Sequence, residues 1–132
     1  MNEQFDVITC IETLEHIPDN MIADVISNMY RNLKPKGILI ICVPTTNRPK
    51  EDKHFRHYTK EELIKELKSA GVSFKNTKYE YFWRVGALEN YLKLTANRFL
   101  YIRPRLIDNI LWKKSFKANS ENGAHLIAML EK

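Results

Sequence analysis

Phe5-Asp6-Val7-Ile8-Thr9-Cys10-Ile11 lies near the start of a chain of 132 residues and is short, apolar and rich in β-branched side chains. Such a run, which ends where polar residues begin, predicts a buried β-strand rather than a helix. From Asp19 to Leu33 apolar residues recur at three- and four-residue spacing, which predicts an amphipathic helix with Asp19 as its N-cap. Lys34-Pro35-Lys36-Gly37 should end that helix, because proline cannot continue it.

A second apolar run follows at Ile38-Leu39-Ile40-Ile41-Cys42-Val43. It has no polar position, which predicts a central parallel strand covered on both faces. Strand, helix and strand together form a right-handed βαβ unit. The polar stretch over residues 45–57 should then be a loop at the end of a strand, where open α/β sheets bind their ligands.

The rest of the chain continues the alternation of helices and strands. Thr59-Lys60-Glu61-Glu62 has the form of a capping box and predicts a helix over residues 59–70. Residues 74–83 predict a strand, residues 86–116 are mainly helical in pattern, and residues 124–130 predict a final strand. The expected fold class is therefore α/β.

We expect a single partial domain over residues 1–132. It comprises a strand-helix-strand-helix core at residues 5–72, a helical insertion or lid at residues 84–117 and a last strand at residues 123–131.

Composition narrows the class further. No signal sequence and no apolar run of about 20 residues is present, which favours a cytoplasmic protein. Cys10 and Cys42 lie inside apolar runs and are expected to be reduced. The net charge is +5, and the stretch from Lys93 to Lys117 is strongly basic. A solvated helix face and an anionic partner such as nucleic acid or a membrane surface are the alternatives for that stretch, and we do not expect nucleic acid.

Three motifs in order resemble the class I S-adenosylmethionine-dependent methyltransferases. Residues 5–19 resemble the family's fourth strand and the loop after it, in which Leu-Glu-His is followed by an apolar residue and Pro-Asp. Residues 32–37 resemble its turn into the fifth strand, and residues 54–63 its next loop and helix start. The resemblance implies the C-terminal half of a Rossmann-like sheet, with strands four to seven and S-adenosylmethionine as cofactor.

One departure from the family pattern bears on activity. The family's glycine-rich turn and the acidic residue that holds the cofactor ribose would precede Met1, and no Gly-x-Gly occurs in these residues. Glycine is required at such a turn because a side chain would block the backbone's approach to the cofactor. The chain alone is therefore expected to bind the cofactor weakly or not at all, and to be inactive.

By resemblance, Cys10, Ile11 and Glu12 lie beside the methionine part of the cofactor. The alternative for Cys10 and Ile11 is a place in the core at the end of the strand. His16, with Glu15, is the candidate general base, because an imidazole accepts a proton near neutral pH. The alternative is a histidine that only orders the loop.

Glu12, Glu15 and His16 also form a pattern similar to that of ubiquinone-biosynthesis O-methyltransferases and small-RNA 2′-O-methyltransferases, where such residues can hold a divalent metal. His54 or His57 would be a further ligand. The same Leu-Glu-His occurs in relatives that use no metal, and the sequence alone does not assign a metal site.

The loop before the second helix should shape the acceptor side through four residues, namely His54, Arg56, His57 and Tyr58. Their alternative role is to hold the loop by their own hydrogen bonds. The acceptor is expected to be a small molecule or a lipid- or glycan-linked group. The insertion would then be a lid or, with peripheral membrane contact, an interfacial helix.

The second hypothesis for the whole chain is a non-catalytic half-domain that pairs with or regulates another chain. Such a half would expose the edge of its first strand, so self-association is expected.

Overall fold

The computed structural model describes residues 4–86, 93, 109–110, 113 and 116–132. Its elements are β1 (Phe5–Ile11), one 3-10 turn (Leu14–His16), α1 (Asp19–Asn32), β2 (Leu33–Pro44), α2 (Lys60–Ser69), β3 (Asn76–Arg84) and β4 (Gly123–Glu131). The predicted order of strands and helices is confirmed for this part of the chain. The insertion predicted at residues 84–117 lies largely outside the described residues. None of the described helices is long and apolar enough to cross a bilayer.

The four strands form one mixed sheet in the order β1-β2-β4-β3. β1 and β2 are parallel neighbours, with Ile8 beside Leu39, as predicted for the βαβ unit. β4 lies between β2 and β3 and runs antiparallel to both. The amino end of β4 therefore lies at the same edge of the sheet as the carboxyl ends of β1 and β2.

The core lies between one face of this sheet and the two helices. Ile26 of α1 and Leu63 of α2 are fully buried, and both belong to the same apolar cluster as Leu39 and Ile41 of β2. Burying each such side chain contributes about 1.5–3 kcal/mol of hydrophobic stabilisation. The opposite face is less covered by the described residues, since Ile38 is 39% exposed. Cys42, which shares that face with Ile38, is buried, so among the described residues the expectation that β2 is covered on both faces is met fully on one face and in part on the other.

Lys34-Pro35-Lys36-Gly37 was predicted to be a turn between the first helix and the second strand. In the structure these residues belong to β2. The pairing shifts there, from Phe5 beside Leu33 to Val7 beside Ile38, and Lys36 has a φ of 66°. Gly37 fits this irregular stretch because a Cβ there would lie 2.9 Å from the carbonyl oxygen of Lys34. Proline and glycine therefore interrupt the regular pairing without ending the strand.

The two helices begin differently from each other. Asp19 was predicted to be the N-cap of α1, but the cap position is Pro18, with no side-chain cap bond, and Asp19 is the first helical residue. The capping box of α2 is confirmed: the hydroxyl oxygen of Thr59 accepts from the backbone N–H of Glu62, whose carboxylate accepts from the backbone N–H of Thr59. The start of α2 is thus fixed by local chemistry.

Replacing Thr59 by Ala removes this cap and should lower the free energy of unfolding by about 1 kcal/mol. Urea denaturation followed by circular dichroism measures the change. Thr59→Ser keeps the hydroxyl and should retain most of the stability. Equal loss in both variants would contradict the role of the capping hydroxyl.

Candidate functional site

Polar side chains gather at the edge of the sheet where β1 and β2 end and β4 begins. The backbone holds this edge together: the N–H of Glu12 donates to the carbonyl of Cys42 at 3.0 Å, and the N–H of Thr45 donates to the carbonyl of Ala124 at 2.9 Å. Two side-chain clusters lie here, and we call them by their glutamates, the Glu12 cluster and the Glu15 cluster.

The Glu12 cluster consists of Glu12, Cys42 and His125. Glu12 has a φ of 48°, in the left-handed region, which costs an ordinary residue about 1–2 kcal/mol. Its Oε1 lies 3.0 Å from Nδ1 of His125 and 3.5 Å from Sγ of Cys42. Burial acts to raise the pKa of the Glu12 carboxyl, but the bonds from His125 and Cys42 and the charges of His125 and Arg48 bring that pKa below its ordinary value. Burial raises the pKa of Cys42 to about 12, so its thiol stays protonated and donates.

His125 is the member of this cluster that the sequence did not reveal. A guanidinium nitrogen of Arg48 lies 3.3 Å from its Nε2 and can only donate, so the Nδ1–H of His125 donates to Glu12. Phe82 stacks on the imidazole, with ring centroids 5.1 Å apart. The one available signal was a histidine at the start of an otherwise apolar strand, and its meaning depends on the position of β4 in the sheet.

His125→Leu should reduce the dependence of stability on pH in the acid range. The lowered pKa of Glu12 means that its ionised form stabilises the fold above the ordinary value of 4.5, and this stability is lost as the pH falls through the lowered pKa. Without His125 that loss should shrink. Urea unfolding in a pH series measures it, with Glu121→Gln as an exposed control. An unchanged pH dependence in His125→Leu would contradict the bond's effect.

The Glu15 cluster consists of Glu15, His16 and His54. Glu15 lies in the 3-10 turn and is fully buried, and neither of its carboxylate oxygens has a hydrogen-bond partner among the described residues. Burial raises the pKa of the Glu15 carboxyl and Glu12 raises it further, whereas the backbone N–H of Glu15 itself and the two histidines oppose the rise. A buried carboxylate without a partner is costly, so a cation or a proton is needed beside it.

Both histidines face this carboxylate. Nε2 of His16 lies 3.7 Å from Oε1 of Glu15, and the rings of His16 and His54 meet edge to face with centroids 4.6 Å apart. One ligand atom from each of the three residues lies within 4.8 Å of the other two. Nδ1 of His16 is 3.2 Å from the carbonyl oxygen of Lys53, which can only accept, so a neutral His16 has its lone pair on Nε2.

The two clusters differ in whether the carboxylate of the glutamate accepts hydrogen bonds. In the Glu12 cluster Oε1 of Glu12 already accepts from two donors, and the cation of Arg48 lies beside the imidazole of His125. The Glu15 cluster presents two unpaired carboxylate oxygens and the lone pair of His16, with no donor among the described residues. Carboxylate oxygen and imidazole nitrogen are common ligands of divalent metals. The Glu15 cluster is therefore the better candidate for a metal.

The loop predicted to shape the acceptor side folds back over the Glu15 cluster. The N–H of Phe55 donates to the carbonyl of Glu15 at 2.8 Å. Arg56 donates to the carbonyls of Leu14 at 3.1 Å and Ile17 at 2.7 Å, and also to the carboxylate of Asp19. Arg56 thus holds the Leu-Glu-His turn in place, in the loop-ordering role that was the alternative to acceptor contact.

The other predicted acceptor-side residues of that loop are buried. His54 and His57 are buried and Tyr58 is 1% exposed, and burial raises the pKa of Tyr58 to about 12. Of the predicted cofactor residues, Cys10 is buried in the core, Ile11 is 58% exposed, and Glu12 is partly exposed. Of the two histidines and the tyrosine predicted in this loop, His54 is the one that lies in the Glu15 cluster, with Glu15 and His16.

A family model described as a methyltransferase domain matches residues 1–95 of the chain. The chain therefore belongs to the methyltransferase family, and its α/β sheet is Rossmann-like. The fold is that of the class I enzymes whose cofactor is S-adenosylmethionine, as predicted.

The chain is also similar to individual methyltransferases. A ubiquinone biosynthesis O-methyltransferase of Pseudomonas fluorescens (strain SBW25) is 39% identical over 75 residues, which are 57% of this chain and 31% of the relative. A SAM-dependent methyltransferase from Archaeoglobus fulgidus has a TM-score of 0.62 at 13% identity, covering 98% of this chain and 60% of the other.

A third similarity is to a structure with bound ligands. Burkholderia thailandensis 1,6-didemethyltoxoflavin-N1-methyltransferase, with bound 1,6-didemethyltoxoflavin and S-adenosylhomocysteine, has a TM-score of 0.55 at 17% identity. The match covers 98% of this chain and 44% of that structure. The chain is thus considerably shorter than the relatives that it matches.

Proposed function

We propose that this chain supplies the acceptor side of an S-adenosylmethionine-dependent O-methyltransferase acting on the hydroxyl of a small-molecule or lipid-linked acceptor. Two observations support it. The chain belongs to the methyltransferase family, and the relative from Pseudomonas fluorescens is named as an O-methyltransferase. The candidate residues also lie at the carboxyl ends of parallel strands, where α/β sheets bind their ligands.

The buried, unpartnered carboxylate of Glu15 is the observation that carries the proposal. We propose that Glu15, His16 and His54 bind a divalent cation. A bound cation would lower the pKa of an acceptor hydroxyl. Such chemistry is needed when the acceptor is an oxygen, because a neutral hydroxyl is a weak nucleophile toward the sulfonium methyl group.

An acceptor would have to reach the Glu15 cluster at its exposed side. Methyl transfer forms an oxygen–carbon bond, breaks the carbon–sulfur bond of the sulfonium and releases the hydroxyl proton. The side chain of His16 is 40% exposed, whereas those of Glu15 and His54 are 0% and 6% exposed, so an acceptor would meet the cluster at His16. In a cluster without a cation, His16 would instead be the general base.

The cofactor would be held mainly by residues that these 132 do not include, because no Gly-x-Gly is present. We therefore propose that the chain alone binds S-adenosylmethionine weakly and is inactive. Glu12, whose carboxylate is kept ionised at the edge of the sheet, is the residue proposed to face the cofactor's methionine part.

Titration calorimetry with Mn²⁺ tests the cation site. The chain should bind the ion, and Glu15→Gln should weaken binding by about 100-fold or more, since even the loss of an outer-shell partner costs 10- to 100-fold. Glu121→Gln removes an exposed carboxylate outside both clusters and should bind as the unmodified chain does. No binding by the unmodified chain, or equal binding by Glu15→Gln, would refute the site and leave His16 as the proposed base.

An exposed edge strand favours a second function, that of a half-domain which pairs with another chain. Among the described residues, no strand pairs with the outer edge of β1. Phe5, Val7 and Ile11 of β1 are 47%, 51% and 58% exposed. An edge of this kind is a template for strand pairing, and we propose a second copy as its occupant when the chain is alone.

Sedimentation velocity tests the edge. The chain should form dimers or larger species in a concentration-dependent manner, and Val7→Lys should shift it to monomer, because a charge on an edge strand opposes pairing. Met21→Lys is the matched control: Met21 is also apolar and 51% exposed, but it lies on α1. A chain that stays monomeric at all concentrations would contradict the pairing.

A further inference from the structure

His57 is a buried histidine whose ring nitrogens both have partners. Its Nδ1 lies 3.1 Å from the carbonyl oxygen of Thr45 and 3.2 Å from that of Arg48. Carbonyl oxygens only accept, so Nδ1 of His57 must carry the hydrogen. A neutral imidazole has one donor and one acceptor, and Nε2 of His57 is therefore an acceptor.

The tautomer of His57 determines the tautomer of His54. Nδ1 of His54 lies 2.9 Å from Nε2 of His57. Because that nitrogen of His57 accepts, Nδ1 of His54 donates and carries the hydrogen. A neutral His54 then has its lone pair on Nε2, the nitrogen on the other side of the ring.

We infer that His57 is a positioning residue that fixes the tautomer of His54 and so presents the Nε2 lone pair of His54 to the Glu15 cluster. Its role in cation binding rests on the proposed function, but the tautomer itself does not. The backbone carbonyls of Thr45 and Arg48, after β2, determine which nitrogen of His57 carries the hydrogen. His57 in turn determines which nitrogen of His54 carries it.

This control matters because the surroundings of His54 favour the opposite tautomer. Nε2 of His54 lies 4.0 Å from a carboxylate oxygen of Glu51, and the unpartnered carboxylate of Glu15 belongs to the same cluster. The negative charge of the Glu51 carboxylate favours a hydrogen on Nε2 of His54. An imidazole with Nε2–H cannot use that nitrogen as a ligand, so without His57 the cluster would lose one of its three ligand atoms.

We call the series of hydrogen bonds from the Thr45 carbonyl through His57 to His54 the relay. Backbone hydrogen bonds hold it in place. The N–H of Tyr58 donates to the carbonyl of Pro44 at 2.9 Å, and the N–H of Thr46 donates to the carbonyl of Tyr58 at 3.3 Å. These bonds hold the residue after His57 against the end of β2. Thr45, whose carbonyl accepts from His57, is the residue that this pairing bridges to Tyr58. The acceptor of His57 is therefore held in place by the sheet.

Long-range ¹H–¹⁵N NMR of the histidine side chains tests the inference without any metal. At about pH 8, where a free imidazole is neutral, His54 of the unmodified chain should give the pattern of the Nδ1–H tautomer. In His57→Leu the His54 signal should move toward the Nε2–H pattern. His57→Gln keeps one donor and one acceptor and should restore the Nδ1–H pattern.

Titration of the same variants with Mn²⁺ gives the second readout. His57→Leu should weaken binding by 10- to about 100-fold, as expected for an outer-shell partner, and His57→Gln should recover part of it. An Nε2–H pattern for His54 in the unmodified chain would overturn the inference, even if Glu15→Gln abolished cation binding. Conversely, an Nδ1–H pattern that depends on His57, in a chain that binds no ion, would support the relay and refute only the proposed cation site.

Discussion

The parallel pairing of β1 with β2 is the constraint on which the rest of the structure depends. Two parallel strands end at the same edge of a sheet, so their following loops must meet there. The turn with Glu15 and His16 comes from one strand, and the loop with His54 and His57 comes from the other. The contacts between Arg56 and the carbonyls of the turn are possible only because this pairing brings the two segments together.

The main electrostatic cost of this arrangement is the burial of the Glu15 carboxylate. The carboxylate lies beneath the loop after β2, and the same loop supplies an imidazole beside it. In the neighbouring Glu12 cluster, by contrast, one carboxylate oxygen of Glu12 accepts from His125 and Cys42, and Arg48 lies beside the imidazole. The two glutamates, three residues apart in the chain, therefore differ in their hydrogen bonding: Glu12 has donors, whereas Glu15 has no hydrogen-bond partner among the described residues.

Local patterns predicted the elements but not all of their relations. β-branched runs and apolar spacing indicated β1, β2 and α1, and the capping box fixed the start of α2. The shift in pairing at Gly37 was not predictable, because it depends on how close the backbone of Phe5 lies to it. Leu-Glu-His and the later histidines were predicted as candidates, and the structure brings Glu15, His16 and His54 together. The complete burial of Glu15 and the arrival of His125 required the tertiary structure.

The position of β4 has a consequence for how this domain assembles. β3 precedes β4 in the chain by almost forty residues, yet in the described sheet β3 pairs with β4 and does not touch β2. During synthesis, β3 must therefore wait unpaired while β1, α1 and β2 form their local unit. Pairing across so long a sequence separation makes that step slow, and a strand that stays unpaired until then favours aggregation. His125 reaches Glu12 only in that step, so the Glu12 cluster is completed at the end of folding.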